Sequence, residues 1–425
     1  MKFKILICLL LFLCFISCHQ KFEHKTVLCI PVYGQSLALG EEATLITDFD
    51  SLAFYANGRI VTERMDYEYG YFDNNKLKEF AKRITHYHKR SFELSLYSMA
   101  ELLADSLKED TVICIFPGGQ GTTTIEGLGK GSLPYQNFIN NIMNASESAK
   151  KRGWDFWVPA ICWMQGESDI EEYSKTNYKR LLKQFQTDIN NDIQSITHQT
   201  KDVKIICYQT NNISGGRHFQ HQCYNNIESR VPQNQLELVL NDSSFYSSSP
   251  TYPFDFARER IHIDGISQKK HGKYVGLAAL DILRVKKTKR GVFPIHVTTN
   301  RNEISIEFHV TVPPLTIDTT YIIPIAHYGF SVITPDNRDI INSVKIKKNN
   351  ILISCSENPD KCRLKYAING ERMKSGRHQG PRGNLRDSQG DTETIIIKGK
   401  TYPLHNWCWQ FDYYIHRDSS SYINH

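Results

Sequence analysis

The sequence predicts an α/β domain built on a parallel sheet, followed by an all-β domain of the sandwich type. Between about residues 26 and 287, short apolar runs alternate with longer amphipathic stretches. Strands that are apolar throughout, with helices between them, are typical of a parallel sheet covered by helices on both faces. From residue 291 onwards, apolar residues recur at nearly every second position, as in strands with one buried face. A chain of 425 residues is long enough for two or three domains.

The elements of the α/β region follow from its apolar pattern. Leucines and a methionine recur at helical spacing in Phe92–Leu107, and Pro134 stands where a helix tolerates proline, in the first turn. The predicted strands are Thr26–Tyr33, Thr111–Phe116, Trp157–Met164 and Val203–Tyr208. The predicted helices are Phe92–Leu107, Pro134–Arg152, Lys175–Ile193 and Ser267–Arg284.

A change of pattern places a domain boundary near residue 290. The run from Lys286 to Gly291 is basic, as a solvated linker is. The segments after it, among them EISIEFHVTV and ETIIIKG, alternate apolar and polar residues between turn sequences. We therefore predict an α/β domain over residues 19–287, a β domain over 291–415 and a tail over 416–425.

The first 18 residues indicate a signal peptide. Lys2 and Lys4 precede an unbroken apolar run of 12 residues, from Ile5 to Ile16. This run is too short to cross a bilayer as a helix, and it fits the core of a signal peptide. The following FISC, which ends at Cys18, resembles a bacterial lipobox. We expect an exported protein that a lipid on Cys18 anchors to a bacterial membrane, facing the periplasm or on the cell surface; plain secretion and an uncleaved anchor are the alternatives.

The composition argues against several classes of partner. A formal net charge of +6, without a dense basic stripe, argues against nucleic acid as a partner. No CxxC or HExxH spacing is present, so no metal site is predicted, and no cofactor is expected.

Cys355 and Cys362 flank a predicted turn, where the sequence allows either a disulfide or two free thiols. The cysteines predicted to pack in the core are Cys29, Cys114, Cys162 and Cys207.

A serine follows the first predicted strand almost directly, in the sequence Gly34-Gln35-Ser36. Gly34 permits a sharp turn, and a serine at such a turn can present its hydroxyl to a substrate and its own N–H to an oxyanion. The alternative is that Ser36 only caps the segment that follows.

A glycine-rich loop, PGGQGTTTIE, follows the second predicted strand at residues 117–126. Such a loop brings backbone N–H groups close to a ligand, but it is not a phosphate-binding P-loop, because no GK[ST] follows its glycines. The alternative is a plain turn.

The sequence WMQGESD, residues 163–169, stands at the end of the third predicted strand. The amide of Gln165 can donate a hydrogen bond to a developing oxyanion. Glu167 and Asp169 allow two interpretations, a carboxylate pair as in glycosidases or acidic residues that fix the start of a helix.

The fourth motif is Glu259-Arg260-Ile261-His262, shortly before the last predicted helix. A carboxylate three residues before a histidine on a turn can reach the imidazole Nδ1, which leaves Nε2 for a nucleophile. Reactive groups gather beyond the carboxyl ends of parallel strands. A serine, a glycine N–H, a glutamine amide and a carboxylate–histidine pair in that position meet the needs of acyl transfer.

These motifs resemble those of the sialate O-acetylesterase-like carbohydrate esterases of the SGNH hydrolase superfamily. The matching text is GQS, GQGTTTIE, WMQGESD and ERIHIDGISQKKHG, within residues 26–287. The resemblance implies a three-layer α/β/α fold, with Ser36 as the nucleophile and His262 as the general base. It further implies that Gly121 and Gln165 stabilise the oxyanion. The ending LKYAING, GPRGNLRDS and YPLHNWC resembles the β domain that accompanies some of these esterases.

The remaining site residues are assigned around this set. Gln35, Gly119 and Glu167 are predicted to bind substrate or to support the reacting groups. Gly118 and Gly119 compete with Gly121 for the role of oxyanion donor. The carboxylate partner of the histidine is predicted to be Glu259, with Asp255 and Asp264 as fallback partners.

Two departures from the family pattern qualify the assignment. Glu259 stands where the family usually has aspartate, and Leu37 stands where it usually has asparagine after the nucleophile.

The motifs and the resemblance together predict an exported serine esterase that removes O-acetyl groups from carbohydrates, with O-acetylated sialic acid as the favoured substrate. The alternatives are an esterase of the same mechanism acting on acetylxylan or another acetylated polysaccharide, and a glycan-binding module that has lost catalysis.

Overall fold

The structure is a computed structural model, and it describes residues 24–62, 92–171, 177–210, 230–258, 261–285, 289–371, 374–415 and 421–422. Its first half is built on parallel strands. They are β1 (Thr26–Cys29), β2 (Val32–Gly34), β3 (Ile60–Val61), β4 (Thr111–Cys114), β5 (Pro117–Gly119), β6 (Asp155–Trp157), β7 (Ala160–Met164), β8 (Lys204–Gln209) and β9 (Phe245–Pro250). They form two sheets, β3-β4-β1-β6 and β5-β2-β7-β8-β9, in which every pair is parallel.

Two of the predicted strands are each split into two short ones, with Pro31 in the break between β1 and β2 and Pro159 in the break between β6 and β7. The predicted strand Thr111–Phe116 ends already at Cys114, and the chain pairs again as β5, which starts at Pro117 in the segment predicted as the glycine-rich loop. Proline has no N–H to donate to a ladder, so a strand tends to be interrupted where it stands. Backbone hydrogen bonds continue across the breaks, for example from the Cys162 N–H to the Pro31 carbonyl at 2.9 Å. The two sheets therefore continue one another, and β2, β5 and β7 lead to the same edge.

Helices join the strands and cover both faces of the sheet. They are α1 (Phe49–Phe54), α2 (Ser95–Ser106), α3 (Ile125–Leu128), α4 (Leu133–Lys151), α5 (Glu167–Glu171), α6 (Tyr178–Thr197), α7 (Arg230–Asn241) and α8 (Gly265–Leu283), with a 3-10 turn at Tyr55–Asn57. Side chains cap several of them: Ser132 accepts from the Tyr135 N–H at the start of α4, and Asp264 accepts from the Ser267 N–H at the start of α8.

Two apolar layers hold the helices against the sheet. On one face, α4 buries Phe138 against Tyr33 of β2, and α6 buries Phe185 against Trp163 of β7. On the other face, α2 and α8 bury side chains such as Met99 and Val275. Apolar burial on both faces is what the uninterrupted apolar strands require.

The chain after α8 forms antiparallel sheets. Its strands are β10 (Val292–Asn300), β11 (Glu303–Val310), β12 (Thr316–Ile317), β13 (Phe330–Ile333), β14 (Ile341–Lys347), β15 (Asn350–Cys355), β16 (Arg363–Tyr366), β17 (Leu385–Arg386), β18 (Thr394–Ile397), β19 (Lys400–Pro403), β20 (Phe411–Tyr414) and β21 (Ser421–Tyr422). Between them lie α9 (Gly376–Gln379) and 3-10 turns at Ala326–Gly329 and Gln389–Asp391. The sheets β14-β15-β11-β10-β21 and β13-β16-β20 share one apolar core, in which Phe308 and Phe411 meet.

The predicted fold class is confirmed, an α/β domain with a parallel sheet and a C-terminal region of antiparallel sheets. The cysteines Cys29, Cys114, Cys162 and Cys207 are buried, as predicted. Cys355 and Cys362 are both free, so the disulfide considered for this pair does not form here. Within the described parts of the chain, no helix is both long enough and apolar enough to cross a membrane. The signal peptide and Cys18 lie outside the described residues, and the exact domain limits stay predictions.

Candidate active site

Ser36 lies in the sharp turn that follows β2. Only glycine fits at position 34, because a Cβ there would lie 2.0 Å from the backbone oxygen of Met164. The chain then turns tightly, with the Leu39 and Glu41 N–H groups donating to the Ser36 carbonyl at 3.1 and 3.0 Å. This turn leaves Ser36 at the carboxyl edge of the sheet with its side chain only partly buried.

His262 reaches Ser36 from the segment before α8. Its Nε2 lies 2.8 Å from the Ser36 Oγ, within hydrogen-bonding distance for proton transfer. The backbone holds the histidine in a narrow hairpin, since the Ala257 N–H donates to the His262 carbonyl at 2.8 Å. The two residues are 226 positions apart in sequence, so the fold alone brings them together.

The carboxylate at the other imidazole nitrogen belongs to Glu42. Its Oε2 lies 3.2 Å from His262 Nδ1, and its Oε1 lies 3.1 Å from the guanidinium of Arg258, which is 71% exposed. Glu42 has a left-handed backbone with φ 63°, and this conformation ends the turn that starts at Ser36. Its side chain is 20% exposed, so solvent screens this ion pair only partly.

The carboxylates predicted from sequence are placed differently. Glu259 lies outside the described residues, and its role stays a prediction. Asp255 pairs with Arg377 at 2.8 Å. Asp264 caps α8, and burial raises the pKa of its carboxyl group. Neither fallback partner is thus the group hydrogen-bonded to His262 Nδ1.

The glycine-rich loop offers three glycines, and packing distinguishes them. A Cβ on Gly119 would lie 1.8 Å from the Gly34 oxygen, and one on Gly118 would lie 2.4 Å from the Phe138 ring. These two glycines serve close packing between strands and helix. A Cβ on Gly121 would instead lie 3.8 Å from the Cβ of Ser36, with nothing nearer. Gly121 is therefore the glycine that flanks the serine.

Gln165 lies at the end of β7 and is fully buried. Its amide nitrogen donates to the Asp169 carboxylate and, at 3.2 Å, to the carbonyl of Thr123 in the glycine-rich loop. Its Oε1 has no hydrogen-bond partner among the described residues. Both N–H groups are engaged in this structure, and its role as an oxyanion donor stays a prediction.

Asp169 joins the two loops on either side of the serine. Its carboxylate accepts from the Ile125 N–H at 2.9 Å and from Gln165. It therefore fixes the glycine-rich loop to the end of β7. Of the two interpretations of the acidic pair, this arrangement fits acidic residues that hold a loop and the start of α5.

Gln35 holds the turn that carries Ser36 against the end of β7 and the loop that follows it. Its side-chain oxygen accepts from the Ser168 N–H at 3.2 Å, and its backbone N–H donates to the Met164 carbonyl at 3.1 Å. The side chain is 2% exposed. Gln35 thus connects the turn of Ser36 to the loop after β7 and lies away from solvent.

Glu167 is likewise a buried support. Its carboxylate accepts hydrogen bonds from the hydroxyls of Tyr208 and Thr210, each at 2.6 Å. Burial raises the pKa of Glu167, and the hydrogen bonds from Thr210 and Tyr208 oppose that rise in part. With 4% of its surface exposed, Glu167 holds the start of α5 to the end of β8 through these contacts.

A second serine–histidine contact lies inside the molecule. His271 of α8 lies 2.9 Å from the Ser95 hydroxyl and 3.0 Å from that of Ser248. All three side chains are buried, and burial lowers the pKa of His271 to about 3. A substrate has no access to this pair, so Ser36 and His262 are the pair suited to catalysis.

Two features escaped the sequence-based reasoning, the role of Glu42 and the way in which the turn at Leu37 is held. Glu42 stands 220 residues from His262 and outside the recognised motifs, so no spacing rule indicates it. Leu37 replaces an asparagine of the family, and here the turn is held instead by the Gln268 amide, which donates to the Leu37 carbonyl at 3.0 Å. In the described part of the chain, no cluster of three or more His, Cys, Asp or Glu residues could hold a metal ion.

Comparison with known proteins finds a matching family and similar structures. Residues 79–280 match the model of a family described as "Carbohydrate esterase, sialic acid-specific acetylesterase". The carbohydrate acetylesterase XAC1771 from Xanthomonas citri is similar in structure over 91% of this chain and 80% of its own, with a TM-score of 0.52 and 11% identity. NanS is similar over 62% of this chain and 99% of its own, with a TM-score of 0.41 and 14% identity. No curated protein matches the chain in sequence.

The family match includes the glycine-rich loop, Gln165 and His262, and Ser36 precedes it. The similarity to XAC1771 shows a shared fold. The class of activity that the family match supports is ester hydrolysis on an acetylated carbohydrate. The resemblance of this chain to the sialate O-acetylesterase-like carbohydrate esterases is confirmed by the family match.

Proposed function

We propose that the protein is a serine esterase that removes O-acetyl groups from sialic acid, with Ser36, His262 and Glu42 as its catalytic triad. The observation that carries the proposal is a pair of contacts on the His262 ring. Its Nε2 lies 2.8 Å from the Ser36 Oγ, and its Nδ1 lies 3.2 Å from the Glu42 carboxylate. Nucleophile, base and orienting carboxylate in this order are the requirements of acyl transfer.

The reaction proceeds in two halves. His262 takes the proton of Ser36 while the serine oxygen attacks the acetyl carbonyl, and the resulting imidazolium is stabilised by Glu42. The tetrahedral intermediate collapses, the sugar hydroxyl leaves with the proton from His262, and the acetyl group stays on Ser36. Water, deprotonated by His262, then attacks this ester and releases acetate.

The oxyanion of the intermediate is stabilised by N–H donors next to Ser36. The backbone N–H groups of Ser36 and Gly121 are the nearest candidates, because Gly121 flanks the serine. Gln165 is the third donor, and its 3.2 Å hydrogen bond to the Thr123 carbonyl is the weaker of its two contacts. We propose that this N–H turns to the oxyanion when substrate is bound.

The choice of sialic acid rests on the family description and is tested directly by substrate comparison. Acetate release is measured from O-acetylated sialic acid and from acetylxylan, with Ser36→Ala as the control. The proposal expects Ser36-dependent release from the sialic acid. Preference for acetylxylan would make the protein an esterase of neutral polysaccharides, and equal rates for wild type and Ser36→Ala would remove the mechanism altogether.

We further propose that the protein works outside the cytoplasm. The support is the sequence alone, the apolar run from Ile5 to Ile16 followed by the lipobox-like FISC at Cys18. A lipid on Cys18 would anchor the enzyme to a membrane.

A further inference from the structure

The segment that carries His262 is a hairpin whose outer strand faces the C-terminal β region. We call residues 255–258 and 261–264 the histidine loop. Its two strands are joined by an antiparallel bridge between Phe256 and Ile263 and by a 2.9 Å hydrogen bond from the Asp264 N–H to the Asp255 carbonyl. A shift of one strand therefore moves the other, which bears the histidine.

Arg377 of α9 is bound to this outer strand. Its Nε donates to the Asp255 carboxylate at 2.8 Å, and its backbone N–H lies 3.4 Å from the Phe254 carbonyl. His378 adds a second contact to Asp255, at 3.2 Å. A charge-assisted pair with a half-buried carboxylate fixes both distance and direction.

The other side of Arg377 is held by the β region itself. Its Nη1 donates to the Tyr321 carbonyl at 2.7 Å, and its guanidinium lies 4.6 Å from the centre of the Tyr321 ring. The Arg377 carbonyl accepts from the Ile323 N–H at 3.1 Å. Arg377 therefore binds Asp255 of the histidine loop and Tyr321 of the β region at the same time. The position of the histidine loop thus depends on the position of the β region.

Two further contacts keep the surfaces close. Gly376 has a left-handed φ of 78°, and a Cβ there would lie 2.7 Å from the Phe254 carbonyl and 2.9 Å from the Phe256 ring. The buried Lys270 of α8 donates to the Tyr321 hydroxyl, and its ammonium lies 5.4 Å from the Phe254 ring centre. Backbone, ring and charge contacts all converge on the start of the histidine loop.

We propose that Arg377 is a positioning residue of the esterase, through which the C-terminal β region holds His262 in line with Ser36. The inference rests on the proposed function, since it assigns a role in that reaction. Displacement of a catalytic group by about 1 Å costs about 10²-fold in rate. Loss of this support should therefore lower kcat while the substrate-binding groups, and with them KM, stay almost unchanged.

The test compares Arg377→Gln with Arg377→Lys and with a matched control, Arg338→Gln. Arg338 is an exposed arginine of the same β region, paired with Asp336 and Glu357. On a chromogenic acetate ester, Arg377→Gln should lower kcat by about 10–10²-fold with KM within about 3-fold. Arg377→Lys should recover part of the loss, and Arg338→Gln should behave as wild type.

A second readout separates positioning from stability. The rate at which an organophosphate modifies Ser36 should fall in Arg377→Gln in parallel with kcat, at a temperature well below Tm. Asp255→Asn should lower kcat to a similar extent. The double variant should be little less active than either single variant, because both changes break the same contact between Arg377 and Asp255.

A wild-type kcat and labelling rate in Arg377→Gln would overturn the inference. If that variant does not fold, full activity of folded Asp255→Asn has the same consequence. Failure of the proposed function looks different, because Ser36→Ala would then keep its activity whatever Arg377 does.

Discussion

Replacing Glu42 by glutamine tests the triad at the residue that the structure, rather than the sequence motifs, indicates. Glu42→Gln keeps the size of the side chain and removes its charge. The carboxylate lies 3.2 Å from His262 Nδ1, so its main contribution is to stabilise the imidazolium that forms as Ser36 attacks. We expect kcat to fall and the fold to stay intact.

The magnitude follows from the geometry of the pair. Two unit charges 3.2 Å apart attract each other by about 5 kcal/mol at an effective dielectric constant of about 20. This is an upper limit, because both side chains are about one fifth exposed and the carboxylate is shared with Arg258. We expect Glu42→Gln to remove about 1.4–2.7 kcal/mol of transition-state stabilisation, which corresponds to a loss of about 10–10²-fold in kcat. This is less than the loss of about 10⁴-fold for the chymotrypsin aspartate, which is buried.

The assay is steady-state hydrolysis of a chromogenic acetate ester. Glu41→Gln serves as the matched control, since it removes the same charge one residue away. Glu259→Gln tests the carboxylate that the sequence motif predicts, and it should cost less than Glu42→Gln. A larger loss in Glu259→Gln, with Glu42→Gln near wild type, would refute the assignment of Glu42.

Three other predictions concern the oxyanion, the anchor and the pH dependence of stability. Gln165→Ala should lower kcat by about 10²–10³-fold, the usual cost of one oxyanion donor; an unchanged kcat with a raised KM would make Gln165 a binding residue. Cys18→Ala should release the protein from the membrane fraction, and a wild type found wholly in the soluble fraction would contradict the anchor. Burial lowers the pKa of Lys270 from 10.5 to about 8, so between those values the unfolded chain binds a proton that the folded chain does not. Unfolding free energies by urea titration should therefore rise with pH across this window, by on the order of 3 kcal/mol, in wild type relative to Lys270→Met; equal pH dependence in both proteins would show that Lys270 titrates normally.

The sequence predicts the sheet well because its signals are local. Apolar runs between amphipathic helices indicate buried parallel strands, and the four motifs fall at the strand ends, where such sheets gather their reactive groups. The breaks at Pro31 and Pro159, and the short strand that starts at Pro117, are not predicted, although each proline is visible in the sequence. A proline that lacks one ladder donor interrupts a strand without changing its direction, so the general layout was unaffected.

Only those site residues that stand in recognisable motifs could be predicted from the sequence. Ser36 and His262 stand in recognisable segments, and the fold brings them within 2.8 Å. Glu42 could not be predicted, because its approach to His262 depends on how the turn after Ser36 meets the histidine loop. Arg377 depends on a contact between distant parts of the chain. Spacing rules describe neighbours in sequence, and they carry no information on such contacts.

The most direct test of the account is the site of covalent modification by a serine-reactive organophosphate. Intact mass and peptide mapping should show one adduct per chain, on Ser36, formed in parallel with the loss of acetate-ester hydrolysis. His262→Ala should suppress the adduct, because the serine then lacks its base. An active protein that is inactivated with the adduct on another residue, or a Ser36→Ala variant that keeps wild-type hydrolysis, would contradict the claim that Ser36 is the nucleophile.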